Sequence, residues 1–331
     1  MKQFPPIISL ICLICLLTNC GTVTDVKKLK LAHGLDVSHP VHLGMMNMAE
    51  RLEEKSGGKL KIEIYPSGQL GNERELLELL QIGSLAMTKV SSGALENFVP
   101  SFEVLGLPYL FRDKEHLFGV LGGDIGEELL AKGEKYRFRG LCFYDAGYRS
   151  FYTKERPIYE PSDLEGLKIR VMKSVTAVNM VSELGGSPTP VSFGELYTAL
   201  QQGVVDGAEN NPPSFYSSRH YEVCKYYTLD EHTSLPDVLL VSLEWWNDLS
   251  EKEKGWLKSA ADESVAYQRN IWEKSEKESL EAVEKAGVEI IRPDKQVFFD
   301  MVQPLYDAYS NDEVKYEFIQ RIKNYEDEEK R

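Results

Sequence analysis

Between Leu29 and Val90 the sequence alternates strand and helix signals, and that alternation limits the fold more than any other feature. Leu29 to Ala32 is a short apolar strand. Val41 to Lys55 places Met45, Met48, Ala49 and Leu52 on one side of a helix, stopped by Ser56-Gly57-Gly58. Lys59 to Tyr65 alternates Leu60, Ile62 and Ile64 with charged residues, the period of a strand. Asn72 and Glu75 have the spacing of a capping box and open a helix that closes at Gly83. Leu85 to Val90 is a third strand. The order β-α-β-α-β implies a parallel sheet with right-handed crossovers.

A second set follows. Gly140 to Tyr144 and Tyr148 to Thr153 are strands, and Ser162 caps one helical turn. Val175 to Leu184 is helical. Ser192 and Glu195 form another capping box, opening a helix that stops at Gly203. Val204 to Asp206 is a short strand, followed by a sharp loop from Gly207 to Pro213. A chain of 331 residues suits two domains better than one core. From the Ser250/Glu253 box a helical pattern runs unbroken to Ala286. At roughly 50 Å it exceeds what one small domain needs, so it is expected to pass along both. Val288 to Ile291 is a last strand, Phe298 to Ile322 a last helix, and Tyr325 to Arg331 a charged tail.

The N-terminus is read as a leader. Met1-Lys2-Gln3 is a basic start, and the apolar run Ile7 to Leu17 is too short to span a bilayer. Leu16-Leu17-Thr18-Asn19-Cys20-Gly21 resembles a lipoprotein box with Cys20 as the acylated residue, although Asn19 is larger than the small residue usual there. Simple secretion is the alternative. The expected division is signal peptide 1–19, lipid-anchor tether 20–28, first domain 29–146 plus 236–275, and second domain 147–235 plus 276–331. Cys142 sits in a buried strand and Cys224 in a polar-aromatic helix; their spacing suggests two free thiols.

The formal net charge of −14 makes nucleic acid an unsuitable partner. No Gly-x-Ser-x-Gly elbow, phosphate loop or dinucleotide fingerprint is present. His33, His39 and His42 lack a partner Cys or carboxylate at metal-ligand spacing. The sequence therefore calls for no metal, no cofactor and no catalytic constellation.

One residue stands against that plain background. In Gly166-Leu167-Lys168-Ile169-Arg170-Val171-Met172 the apolar residues alternate with Lys168, Arg170 and Met172. Arg170 thus leaves the aliphatic face of a strand. Spacing alone permits a surface arginine or a guanidinium fork held for a carboxylate. Arg149 also lies near a strand end, and in open α/β sheets ligands sit beyond the carboxyl ends of the strands. Two α/β domains with a leader and no catalytic residues read as a secreted binding protein.

Several strings carry a closer resemblance: Tyr65-Pro66-Ser67-Gly68-Gln69-Leu70-Gly71-Asn72-Glu73-Arg74, Leu107-Pro108-Tyr109-Leu110-Phe111, the Arg170 strand, Gly186-Ser187-Pro188-Thr189-Pro190, Phe193 through Gln201, and Gly203 through Asn210. In this order they resemble the solute-binding components (DctP type) of tripartite ATP-independent periplasmic (TRAP) transporters, over nearly the whole chain from Leu29. The resemblance implies an α/β, two-domain periplasmic-binding-protein (Venus-flytrap) fold with a long helix spanning both domains. It implies that Arg170 makes the main salt bridge to a ligand carboxylate. Arg149 assists, Asn210 fixes the same group, Phe193 packs on the ligand, and Glu73 reaches its polar end from the first domain.

Glu73 would repel a second carboxylate and accept hydrogen bonds from hydroxyls, favouring a hydroxylated monocarboxylate. The segments His33 to Pro40 and Thr88 to Glu96 are similar to members that bind hexuronates. Lys89, Ser91, His33 and Lys173 complete the expected site; Lys173 departs from the Pro or Asn common in the family. The expectation is a periplasmic, monomeric, lipid-anchored protein that delivers an organic acid, best a glucuronate or galacturonate, to TRAP membrane subunits without chemistry. Another carboxylate (keto acid or dicarboxylate), a sensory module or a secreted enzyme on a similar scaffold are the alternatives.

Overall fold

The structure is a computed structural model that describes residues 26–326. The expected leader, Cys20 and most of the charged tail lie outside the described residues. Two sheets carry the chain. The first has the order β2-β1-β3-β10-β4, formed by β1 (Lys27–Ala32), β2 (Leu60–Tyr65), β3 (Met87–Ser91), β10 (Asp237–Ser242) and β4 (Phe138–Tyr144). β1 runs parallel to β2 and β3, whereas β10 is antiparallel to both β3 and β4. Lys27 and Lys28, assigned from the sequence to the tether, pair with Leu60 and Lys61 inside this sheet.

The second sheet has the order β11-β9-β5-β8-β6-β7. Its strands are β5 (Arg149–Thr153), β6 (Lys168–Val171), β7 (Ser187–Pro190), β8 (Gly207–Asn210), β9 (Tyr226–Thr233) and β11 (Glu289–Ile291). Each sheet is apolar on both faces. In β10, Val238 and Leu240 enter one core of the first sheet and Leu239 and Val241 the other, the two-residue period of a doubly covered strand. In β5, Phe151 and Tyr152 divide between the two cores of the second sheet in the same way.

The chain passes between the sheets after β4, returns before β10, and passes again along the helix Glu251–Lys285. That helix has 35 residues and the expected Ser250/Glu253 capping box. Leu257, Ala260, Ala261 and Trp272 pack in the first sheet's core, and Val283 in the second's. Its approach to the helix Pro40–Ser56 requires Gly44, where a Cβ would stand 2.7 Å from Gln268 Cγ. Gln268 in turn clamps the first crossing: its Oε1 accepts from Asp145 N at 2.9 Å and its Nε2 donates to Asp145 O at 2.8 Å. Gly147 follows at φ +59°, and its carbonyl accepts from Ser234 Oγ at 3.1 Å, so the two crossings are tied together.

Several local expectations need correction. The strand at the end of the second set is β8, Gly207–Asn210, and not Val204 to Asp206. The Ser192/Glu195 box does not form; Phe193–Glu195 is a 3-10 turn and the helix starts at Leu196. The turn Pro161–Leu164 is capped by Glu160, with Asp163 completing the box, and Ser162 lies inside it. Phe298 to Ile322 is not one helix but Lys295–Met301, Pro304–Asp307 and Glu313–Lys323, interrupted by Pro304 and restarted by Asp312 as an N-cap. Phe318, Ile319 and Ile322 of the last helix pack in the first sheet's core, although the sequence reading assigns them to the second domain. Both Cys142 and Cys224 are buried free thiols; Cys224 lies between the 3-10 turn His220–Glu222 and β9 rather than in a helix.

Candidate functional site

Between the two sheets lies a cavity of about 370 Å³. It is lined from the first sheet and its helices by Glu73, Lys89, Ser91 and Asp237, and from the second sheet and the turn Phe193–Glu195 by Arg149, Arg170, Phe193 and Asn210. Lys173 stands at its rim with an exposed side chain.

Arg170 is 2% exposed, in the middle of β6. Its Nε donates to the carbonyl of Val191 at 2.8 Å, while its Nη1 is buried without a hydrogen-bond partner. The Phe193 ring lies beside the guanidinium, centroid to Cζ 6.0 Å. Burial pulls the Arg170 pKa down, because the charge has left water without a dedicated acid beside it. A buried cation in the wall of a cavity, with a donor left unpaired, is the arrangement that an entering carboxylate satisfies.

Arg149, the first residue of β5, is in a different condition. Its Nε pairs with Glu209 Oε2, and its Nη2 donates to Glu209 Oε1 at 2.9 Å and to Glu209 O at 2.8 Å. Burial alone would raise the Glu209 carboxyl, but Arg149 and His232 hold it down at about 2. His232 extends the chain of charges, with Nδ1 2.7 Å from Asp230 Oδ2 and Nε2 3.5 Å from Glu209 Oε2. Burial would lower the imidazole pKa, yet the two acids raise it to about 9. Arg149 therefore arrives at the cavity already neutralised.

Arg149 also orients Asn210. The Asn210 Oδ1 accepts from Arg149 Nη1 at 2.8 Å and from Asn211 N at 2.9 Å. Two donors converge on that atom, so it is the oxygen, and Nδ2 is left as a donor for a bound molecule.

At the opposite wall, Lys89 Nζ lies 3.0 Å from Asp237 Oδ1 and 3.5 Å from Glu73 Oε1. Burial would lower the Lys89 pKa, but the two carboxylates outweigh it and keep the ammonium charged. Glu73 Oε1 also accepts from Ser91 N at 2.9 Å, which ties the start of the helix Glu73–Gln81 to β3. Ser91 Oγ caps the next helical turn by accepting from Gly93 N at 3.4 Å.

His33 is corrected. It is fully buried and does not line the cavity; its Nδ1 accepts from Leu35 N at 3.1 Å, which leaves Nε2 to donate to His42 Nδ1 at 3.0 Å. His39 takes the place in the lining. Its Nδ1 accepts from Val41 N, so Nε2 carries the proton and donates to Ser214 Oγ at 3.1 Å. Burial, then the nearby Lys89, lowers its pKa to about 3, so it is a neutral link between the domains.

The domains also meet at the cavity mouth. Glu96 accepts from Thr176 Oγ1 at 2.6 Å and from Thr176 N at 3.2 Å, and Asn97 Nδ2 donates to Lys173 O at 2.6 Å. Sequence reasoning missed Glu209, His232, Asp230, Asp237 and Glu96. Asp237 left a signal, a charged residue opening the apolar run Asp237 to Ser242. Among the described residues no cluster of three or more His, Cys, Asp or Glu is arranged to hold a metal ion. No helix among them is long and apolar enough to cross a membrane.

Residues 31–312 match the bacterial extracellular solute-binding protein family 7, DctP. The chain belongs to this family of TRAP solute-binding proteins. A TRAP periplasmic solute-binding protein from Xanthobacter autotrophicus Py2, solved with bound β-D-galacturonate, is similar to it at 41% identity and a TM-score of 0.88, covering 90% of this chain and all (100%) of the other. A second, from Roseobacter denitrificans with bound β-D-glucuronate, is 36% identical with a TM-score of 0.88, covering 91% and 100%. The Salmonella typhimurium protein YiiZ, uncharacterised, is 41% identical over 296 residues, covering 89% of this chain and 90% of its own. The two-domain, Venus-flytrap fold expected from the strings is thus the fold of this DctP member.

Proposed function

We propose that this protein captures a hexuronate, of the galacturonate or glucuronate kind, and delivers it to the membrane subunits of a TRAP transporter without making or breaking a covalent bond. The observation that carries the reading is the buried Arg170 Nη1 without an acceptor in the cavity wall. A carboxylate there would take charge-assisted bonds from Arg170 and the Asn210 Nδ2, each worth about 1.5–3 kcal/mol where the donor is charged. Phe193 would cover the C–H face of the sugar ring, while Glu73, Asp237 and Ser91 receive its hydroxyls. Arg149 holds Asn210 and adds little net charge.

Binding would bridge the domains and shift the population toward the closed arrangement, with bending at the tied crossings beside Gly147 and Ser234. The two domains of this motion are the first sheet with its helices, including Glu313–Lys323, and the second sheet with its own. A lipid at Cys20, supported by the Leu16 to Gly21 string, would keep the protein at the membrane surface; Cys20→Ser should release it into the soluble fraction, and persistence at the membrane would reject the anchor. A thermal-shift panel of organic acids tests the ligand. Uronates should raise the unfolding midpoint, by about 2.7 kcal/mol of stability at a hundredfold excess over Kd. A response confined to keto acids or dicarboxylates would reject the hexuronate reading.

A further inference from the structure

The two ends of the cavity differ in charge balance, and the difference depends on one residue that sequence reasoning passed over. In the second domain Arg149, Arg170 and His232 face Glu209 and Asp230, an excess of one positive charge that falls on Arg170. In the first domain Lys89 is 3% exposed and faces two acids, Asp237 at 3.0 Å and Glu73 at 3.5 Å. Lys89 is therefore fully engaged and offers a ligand no uncompensated charge. Around Lys89 the buried part of the first-domain wall thus sets two acids against one base; Arg74 also lines the cavity, but it is exposed and its Nε donates to Glu78 Oε1 at 3.0 Å. Asp237 is placed there by register: it opens β10 opposite Ser91 of β3, immediately after the chain returns from the second domain.

We propose that the Lys89–Asp237–Glu73 trio is a charge filter that admits hydroxyl groups at the end of the ligand remote from Arg170 and rejects a second carboxylate there. The protein would thus take uronic and aldonic acids but exclude aldaric acids, which carry a carboxylate at both ends of the same carbon chain. This rests on the hexuronate reading above. The physical reason is that the carboxylates of Asp237 and Glu73 accept hydrogen bonds from hydroxyls, with Lys89 opposing the rise that burial imposes on the Asp237 pKa, and that like charges at short range in a buried site repel strongly. Lys89 cannot relieve this, because removing it from its two acids to serve the ligand would leave those acids unpaired and buried.

Calorimetry with D-galacturonate, D-galactonate and galactarate tests the proposal. The last two are both open chains and differ only in a terminal alcohol or carboxylate. Galactarate should bind at least on the order of 100-fold more weakly than D-galacturonate, and more weakly than D-galactonate. Glu73→Gln, which keeps an acceptor for Ser91 N and removes the excess charge, should narrow the galacturonate-to-galactarate ratio about tenfold or more; Asp237→Asn should act in the same direction, and the unfolding midpoint reports whether each variant is folded. Galactarate binding as tightly as galacturonate would overturn the charge filter while leaving the hexuronate reading intact. A ratio unchanged in a folded Glu73→Gln protein would overturn it as well, since shape alone would then account for the discrimination. Binding of neither uronate nor aldonate would overturn the hexuronate reading and this proposal with it.

Discussion

Arg149 and Glu209 meet between the antiparallel strands β5 and β8, with Nη2 donating to Oε1 at 2.9 Å and Nε pairing with the second carboxylate oxygen. Arg170, on the next strand but one, has no such acid. Two arginines that both sit on strands beside the cavity therefore do different work: Arg149 organises the wall, and Arg170 presents the charge.

Arg170→Ala should weaken uronate binding by about 3 kcal/mol or more, a factor on the order of 100 or greater, because truncation removes the charge and leaves the ligand carboxylate buried. Arg170→Lys should recover only part of this, since an ammonium cannot present two parallel donors. Calorimetry checks both, and near wild-type affinity in the alanine variant would remove Arg170 from the site.

Stability should peak near pH 6.5 and fall on both sides. His232 is raised from 6.5 to about 9, so its contribution is complete below pH 6.5 and is lost as the pH rises toward 9. That limb is worth up to about 3 kcal/mol. His33, His39 and His220 are lowered by burial to about 2, 3 and 3, so the stability of their neutral forms is lost as the pH falls below 6.5. Denaturant titrations across this range should show both limbs. His232→Gln should flatten the alkaline one; an unchanged alkaline limb would remove His232 as its source.

Thr176→Val should loosen the contact with Glu96 at the cavity mouth. Glu96 is a buried carboxylate whose pKa burial raises and whose bonds to Thr176 and Ser174 oppose that rise. Losing the Thr176 hydroxyl favours the open arrangement and should lower uronate affinity about tenfold, although residue 176 does not line the cavity. Small-angle scattering of the ligand-free variant should show a larger radius of gyration. Unchanged affinity and unchanged radius together would dismiss the contact as a factor in closure.

Gly147→Ala should lower the unfolding midpoint by about 2–6 °C. The residue sits at φ +59°, and a Cβ would stand 3.0 Å from the Trp272 ring. Differential scanning fluorimetry measures this directly; a midpoint equal to wild type would show that the crossing yields without strain.

Local features of the chain were legible because they depend on neighbours a few residues away. The capping boxes at Asn72 and Ser250 and the 35-residue helix form as read. Arg170 lies in a strand as its alternation requires, and the strings around it identify the family. The Ser192 box failed because the chain is held there by tertiary contacts instead, with the Phe193 ring packed against cores of both sheets.

The charge state of each wall was set by long-range packing. Lys89 and Asp237 are 148 positions apart, and Arg149 and Glu209 are 60. No local pattern reports which acid meets which base at such separations. His33 and His39 lie in one short loop with the same sequence signal, yet one turns toward His42 and the other toward the cavity. The strand that carries Arg170 and the family to which the chain belongs could be read from neighbouring residues alone. Strand order in two sheets decided that Arg149 and Lys89 are neutralised and Arg170 is not, because burial makes every charge depend on the partner that packing brings to it.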